Sequence, residues 1–275
     1  MMRMRGDAGA SAVLSRVTSE DVIARLDART GAGPLAVDAD GTLWSGDIGI
    51  DAFTTLLEEK RIRPAALNAL NDEARHLHLP AATDPNDQAK RLYDEFESGN
   101  FPEDRAFGMM AWSLAGHSPG EAQAFAREVV ERKQLASRLH GELVPVLRWA
   151  ARKGVPLYVV SASPEWLVTQ AVEQLRLPVT GVLAMKVAEG EGTMLPFLSG
   201  PVTYGQGKLT ALRAVIGQNR LLGAFGDSGF DVPMLGQAEI AVAVRPKPDL
   251  RARAAQVPGL LELEPRFSSG SYEFT

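Results

Sequence analysis

Beyond residue 140 the chain alternates helix-patterned and strand-patterned segments, and this constrains its fold more than any other feature. ELVPVLRWAARKG (142–154) carries apolar residues at helical spacing and stops at Gly154. VPLYVVSAS (155–163) is an almost continuous apolar run, and PEWLVTQAVEQLRL (164–177) opens on Pro164, a residue suited to a helix's first turn. GVLAMKVAEGEGTMLPFLSG (181–200) reads as a strand, a glycine-containing turn and a second strand. Helix GKLTALRAVIG (207–217), strand RLLGAFGDS (220–228), helix DVPMLGQA (231–238) and strand IAVAVRP (240–246) complete the series. Strands apolar along their whole length are buried on both faces, so the pattern predicts a parallel sheet covered by helices on each side. Far upstream, PLAVDAD (34–40) is another short apolar strand, this one ending in acids.

Between them the character changes. From about residue 47 to 139 apolar residues recur at spacings of three and four with almost no strand signal, which predicts four or five helices inserted after the first strand. Before it, TSEDVIARLDART (18–30) predicts a helix capped by Thr18 or Ser19, with Glu20 and Asp21 at the positive end of the dipole, stopped by Gly31, Gly33 and Pro34. The first fifteen residues are expected to be loosely ordered, and LELEPRFSSGSYEFT (261–275) takes no assignment.

A chain of 275 residues can bury a substantial core, and a net charge of −5 argues against general binding to nucleic acid or a membrane surface. The absence of cysteine removes disulfides, thiolate metal sites and a cysteine nucleophile together. His76 and His78 read as surface or loop residues. No secretory leader core and no run of about 20 apolar residues is present, so a soluble, cytoplasmic protein is expected.

Ligands of open parallel sheets bind at the carboxyl ends of the strands, and several of those ends carry polar chemistry here. One presents Asp38 and Asp40, a second Ser161 and Ser163, a third Asp227 with Asp231 four residues on, while Lys208 follows two glycines at a helix start. Asp38 and Asp40 share a face only if extended backbone continues through both. Their repulsion is relieved by a cation between them, by a proton on one, or by a turn at Gly41. Clustered carboxylates without Cys or His suit Mg²⁺, and Ser161, the backbone amides after it from Ala162 on, and the Lys208 ammonium suit phosphoryl oxygens. Asp231 is open to two readings, metal ligand or N-cap of the helix at VPML with Pro233 in its first turn.

DADGT, VVSAS, Lys208 and GDSGFD, in this order, resemble the four motifs of the haloacid dehalogenase superfamily, most of whose members are phosphatases. The resemblance implies an α/β fold with a doubly wound, Rossmann-like parallel-sheet core (16–46 and 140–275) and an inserted all-α cap (47–139). It implies that Asp38 attacks phosphorus to form an aspartyl-phosphate and that Asp40 protonates the leaving oxygen and later takes a proton from water. Mg²⁺ would be held by Asp38, the Asp40 carbonyl, Asp227 and Asp231. Ser161, Ala162, Lys208, Gly41 and Thr42 would surround the phosphoryl group.

The intact acids favour phosphoryl transfer over dehalogenation. The helical insertion and GDSGFDVPML look most like the phosphoserine phosphatase group, where Asp47 and Arg105 would read the substrate. Two departures count against that substrate: SAS stands in place of Ser-Gly-Gly, and Phe230 stands where an asparagine is usual. SGPVTYGQGK with VVSAS resembles phosphocholine phosphatase-like members, for which Trp44, Trp112, Trp166, Phe101 and Tyr204 are candidate aromatic faces. The expectation is a Mg²⁺-dependent hydrolase of a small phosphorylated metabolite, with no nucleic-acid or membrane partner and no oligomeric state assigned. The alternatives are a catalytically weak module that binds metal or a phosphorylated ligand, or a phosphotransferase.

Overall fold

The computed structural model describes residues 14–29 and 33–266. Seven strands form one sheet: β1 (Ser15–Val17), β2 (Leu35–Val37), β3 (Leu157–Pro164), β4 (Gly181–Met185), β7 (Leu221–Gly226), β8 (Ala238–Val244) and β9 (Leu261–Leu263). A separate two-stranded antiparallel hairpin is made by β5 (Val187–Gly190) and β6 (Thr193–Leu198). The order in the large sheet is β1-β9-β8-β7-β2-β3-β4, and every pairing in it is parallel.

Eleven α-helices join these strands among the described residues: α1 (Ser19–Asp27), α2 (Ile48–Glu58), α3 (Leu67–His76), α4 (Pro85–Glu97), α5 (Glu103–Trp112), α6 (Pro119–Arg132), α7 (Val144–Lys153), α8 (Glu165–Gln174), α9 (Gln206–Ile216), α10 (Val232–Leu235) and α11 (Pro248–Ala252). Local chemistry sets their ends. Thr18 and Asp21 form a capping box on α1, Ser118 and Glu121 another on α6 beside Pro119, and Gly154 ends α7 in the left-handed region at φ +65°.

The period-two alternation of β2 divides the core. Leu35 and Val37 join Leu26, Leu147 and Leu167 on one face of the sheet, while Ala36 joins Leu212, Met234 and Leu250 on the other. The first of these clusters runs on without a break into Phe53, Leu70 and Phe125 of the inserted helices. The sheet is thus covered on both faces, and β2 lies between β3 and β7 where the strand order reverses, which puts the crevice at their carboxyl ends.

Three expectations change. β1 and β9 went unassigned; each is three residues long, and they pair with each other as Ser15↔Leu261. The segment 181–200 holds three strands, because the chain breaks at Lys186 between β4 of the large sheet and the hairpin. That hairpin joins the inserted helices, with Gly116 N–H donating to Met194 C=O at 2.8 Å and Met194 N–H to His117 C=O at 2.8 Å. Helix 231–238 shrinks to α10 behind a 3-10 turn at Gly229–Asp231. The insertion does hold five helices, α2 to α6, and His76 and His78 are exposed. The expectations for residues 1–13, for Gly31 as a helix stop and for the chain after 266 lie outside the described residues.

Candidate active site

Asp38 follows β2 directly, and its N–H still bonds Phe225 C=O of β7 at 3.0 Å, so the sheet itself fixes its backbone. The chain then leaves the sheet: Thr42 and Leu43 N–H both donate to Ala39 C=O, and Gly41 turns at φ +84°. A Cβ on Gly41 would lie 2.0 Å from Asp227 Oδ2, so only glycine allows this turn to approach β7. Of the reliefs the sequence left open for Asp38 and Asp40, the turn is thus present, and the two carboxylates take separate sets of partners.

Asp38 Oδ2 accepts from Thr42 Oγ1 at 2.8 Å and Oδ1 from Lys208 Nζ at 2.6 Å; Lys208 also donates to Asp231 Oδ1 at 2.6 Å. All four side chains are buried. Oxygens of Asp38, Asp227 and Asp231 lie within 4.8 Å of one another. Burial pushes Asp38 well above the ordinary carboxylate range; Lys208 pulls it back, while Asp231 and Asp227 add to the rise. Burial, then the Asp231 charge, raise Asp227 to about 6 against the pull of Lys247. Burial alone would depress Lys208, but the charges of Asp231 and Asp38 outweigh it and hold the ammonium strongly.

Asp40 is clamped differently. Its Oδ1 accepts from Trp44 Nε1 at 2.7 Å and from Ile48 N–H at 2.8 Å, and its Oδ2 from Ser163 Oγ at 2.7 Å. Ser161 is buried in β3 with its Oγ accepting from Ser163 N–H at 3.0 Å, and both serines line the cleft with Ala162. That cleft has a volume of about 670 Å³, within the range of small-molecule sites.

The structure brings Asp38, Asp40, Gly41, Asp47, Ser161, Ala162, Lys208 and Asp227 to the cleft and leaves other expected residues elsewhere. Arg105 points away into an ion pair with Glu73 at 2.6 Å and does not line it. The Gly41 and Thr42 amides donate to Trp44 and Ala39 carbonyls, so these residues shape the turn instead of offering their N–H groups to a phosphoryl oxygen. Asp231 belongs to the acidic cluster, yet Oδ2 accepts from the Asp227 and Ser228 N–H groups and from Ser228 Oγ, each at 3.1 Å. It makes no side-chain cap on α10; it reaches back to close the turn before that helix and holds Lys208. Trp44, Trp112 and Phe101 are buried in the core, and Trp166 packs on Phe125 with its Nε1 on Ala111 C=O. Of the five aromatic candidates Tyr204 alone lines the cleft among the described residues.

Sequence reasoning missed Lys247, whose Nζ reaches Asp227 Oδ2 at 2.8 Å. It also missed an aromatic row: Phe96–Phe107, Phe107–Tyr204 and Tyr204–Phe230 ring centroids are 5.6, 6.0 and 4.2 Å apart. Tyr204 donates its hydroxyl to Glu103. Asp47 caps α2 by accepting from Ile50 N–H at 2.8 Å, and burial, then the Asp40 charge, raise it to about 7.

Residues 35–236 match the family model of haloacid dehalogenase-like hydrolases. The chain belongs to that family. Among curated relatives it is 28% identical over 153 residues to the phosphoserine phosphatase SerB1 of Mycobacterium tuberculosis, covering 52% of this chain and 50% of the relative. The chain thus spans about half the length of the curated relatives it matches. Solved structures share the fold. A Bordetella pertussis protein of unknown function has TM-score 0.66 at 22% identity, covering 86% of this chain and 99% of that one. A functionally unknown Anaerococcus prevotii protein has TM-score 0.62 at 16% identity, covering 91% and 92%.

Proposed function

We propose that this haloacid dehalogenase-like chain hydrolyses a small phosphomonoester through an aspartyl-phosphate on Asp38. What carries the reading is the buried Asp38–Lys208 pair at 2.6 Å within a cluster that includes Asp227, at the crevice where the strand order reverses.

The cluster also suits Mg²⁺. The four carboxyl groups of Asp38, Asp40, Asp227 and Asp231 face only two ammonium groups, the buried Lys208 and the exposed Lys247, so acids outnumber bases at this end of the cleft. Asp38, Asp227 and the Asp40 carbonyl are the residues that would hold the ion, with Asp231 acting mainly through Lys208. When bound, Mg²⁺ would neutralise charge on phosphoryl oxygens. In the chain's own chemistry, an Asp38 oxygen bonds phosphorus as the ester P–O bond breaks, and the leaving oxygen keeps that electron pair and takes a proton from Asp40. Asp40 then takes a proton from the water that attacks the same phosphorus, which releases phosphate and restores Asp38. Lys208 and Ser161 supply fixed charge and hydrogen bonding to the group in transit.

Phe96, Glu103 and Phe107 reach the cleft from the inserted helices, which supports reading 47–139 as a cap over a core of 16–46 and 140–275. The half of the cleft beneath them is aromatic and acidic, and both lining lysines sit at the Asp227 end. That distribution favours an alcohol that is apolar or cationic over one bearing a carboxylate.

Hydrolysis of p-nitrophenyl phosphate tests the reading. Release is expected with Mg²⁺, not in EDTA, and not from Asp38→Asn; a metal-binding module without turnover would show none in any condition.

A further inference from the structure

We propose that Ser163 is a positioning residue that makes Oδ2 the oxygen of Asp40 carrying the transferred proton. The inference rests on the reading of Asp40 as proton donor to the leaving oxygen, and it names a residue that reading leaves without a role.

The three donors around Asp40 are not equivalent. On Oδ1 converge an indole N–H, from Trp44 at 2.7 Å, and a backbone N–H, from Ile48 at 2.8 Å. Both are donors only, so a hydrogen on Oδ1 would take one of its two acceptor positions and face a donor that has no lone pair to receive it. Oδ2 meets a single partner, the Ser163 hydroxyl at 2.7 Å. A hydroxyl both donates and accepts. It can accept from a protonated Oδ2 and donate to an ionised one, keeping one bond in either state. Asp40 and Ser163 both line the cleft while Trp44 and Ile48 do not, so of the two oxygens it is Oδ2 whose partner also faces the substrate.

The surroundings fix this hydroxyl. Ser163 is buried, its own N–H is tied to Ser161 Oγ at 3.0 Å, and Gly49 of α2 lies against it. A Cβ on Gly49 would stand 2.6 Å from Ser163 Oγ. The end of β3, the turn after β2 and the first turn of α2 therefore meet at one hydrogen bond, and the third tolerates it by lacking a side chain. A serine that merely ended a strand would need none of this.

In the step itself an Asp38 oxygen bonds phosphorus as the ester P–O bond breaks towards its own oxygen. That oxygen takes the hydrogen from Oδ2, Asp40 becomes a carboxylate, and the Ser163 hydroxyl rotates to donate to it. Nothing else is gained or lost. Ser163 thus matters in proportion to how much the leaving oxygen needs a proton: little for nitrophenolate, greatly for an alkoxide.

The test is kcat/KM for p-nitrophenyl, phenyl and ethyl phosphate in wild type, Ser163→Ala and Gly49→Ala, with Mg²⁺. Positioned general-acid catalysis is worth factors of about a hundred or more, so each variant should lose at least roughly tenfold more on ethyl than on p-nitrophenyl phosphate. The loss should fall in kcat more than in KM. Gly49→Ala keeps the hydroxyl but displaces it, so agreement of the two variants supports the proposal even where one folds poorly. Equal losses on all three esters would overturn the role of Ser163 and leave the phosphatase reading standing. Absence of hydrolysis of every ester by wild type would remove both.

Discussion

Lys208 Nζ lies 2.6 Å from Asp38 Oδ1 across 170 residues of sequence, and the same nitrogen lies 2.6 Å from Asp231. One buried cation therefore holds together two buried acids that would otherwise repel. Replacing it by Met should cost about 3–5 kcal/mol of stability, because both carboxylates are left without it in the interior. The kcat for p-nitrophenyl phosphate should fall by about a hundredfold or more, as when a preorganised charge at a phosphoryl group is lost. Urea unfolding and steady-state kinetics check the two numbers separately.

Gly41→Ala should be disproportionately harmful for the addition of one methyl group. The residue sits at φ +84°, and its Cβ would overlap Asp227 Oδ2 at 2.0 Å. A loss of about 1–3 kcal/mol is expected from the backbone alone. Because Asp227 must also shift, Mg²⁺ affinity should drop. Calorimetric titration of Mg²⁺ into both proteins measures it.

Asp47 makes a pH-dependent contribution whose sign is fixed by its rise to about 7. A carboxyl with a raised folded pKa binds more protons folded than unfolded, so its contribution to stability falls as pH climbs from about 4 to 7 and then levels off. Asp47→Asn keeps a side chain able to cap α2 but removes that fall. Relative to wild type it should therefore become steadily more stable over this range in EDTA. Chemical unfolding at several pH values would sink the idea if the difference were flat.

Arg105→Ala should leave kcat/KM within about twofold for every phosphomonoester, since the guanidinium pairs with Glu73 outside the cleft, and should cost less than about 1 kcal/mol. Phe107→Ala should act on the substrate. With phosphocholine, the neutral isostere 3,3-dimethylbutyl phosphate and phosphoserine as probes, wild type should prefer the first by about fivefold or more, as one cation–aromatic contact allows. The variant should lose that preference. Equal or better use of phosphoserine would refute the reading of the aromatic half.

Much of the fold and of the site could be read from the sequence because the informative residues stand where local patterns end. Asp38, Ser161 and Asp227 each close a run of apolar residues, and Lys208 follows Gly205 and Gly207, so strand ends and a helix start were visible without contacts. The same rule applied to β8 points to Lys247, which lies three residues beyond that strand. The clamp on Asp40 was not legible, because Ser163 meets it only through the pairing of β2 with β3. β1 and β9 were hidden for the same reason: three residues are too few for a period, and each is ordered by a partner at the other end of the chain. Arg105 failed differently. Its position near the first turn of α5 could be read, but which side of the helix faces the cleft depends on how α5 packs, and Glu103 occupies that side.

The central place of β2 governs how the molecule can assemble. During synthesis this strand emerges early, with open edges on both sides, and neither neighbour follows until the whole helical insertion has been made; β7 arrives later still. On a growing chain Asp38 can thus meet Lys208 and Asp227 only after α9 and β7 have been made, and in the complete chain both contacts close loops of well over a hundred residues. A refolding chain should recover helical circular dichroism well before it recovers turnover, which would make enzymatic activity itself a clock for the closing of the sheet.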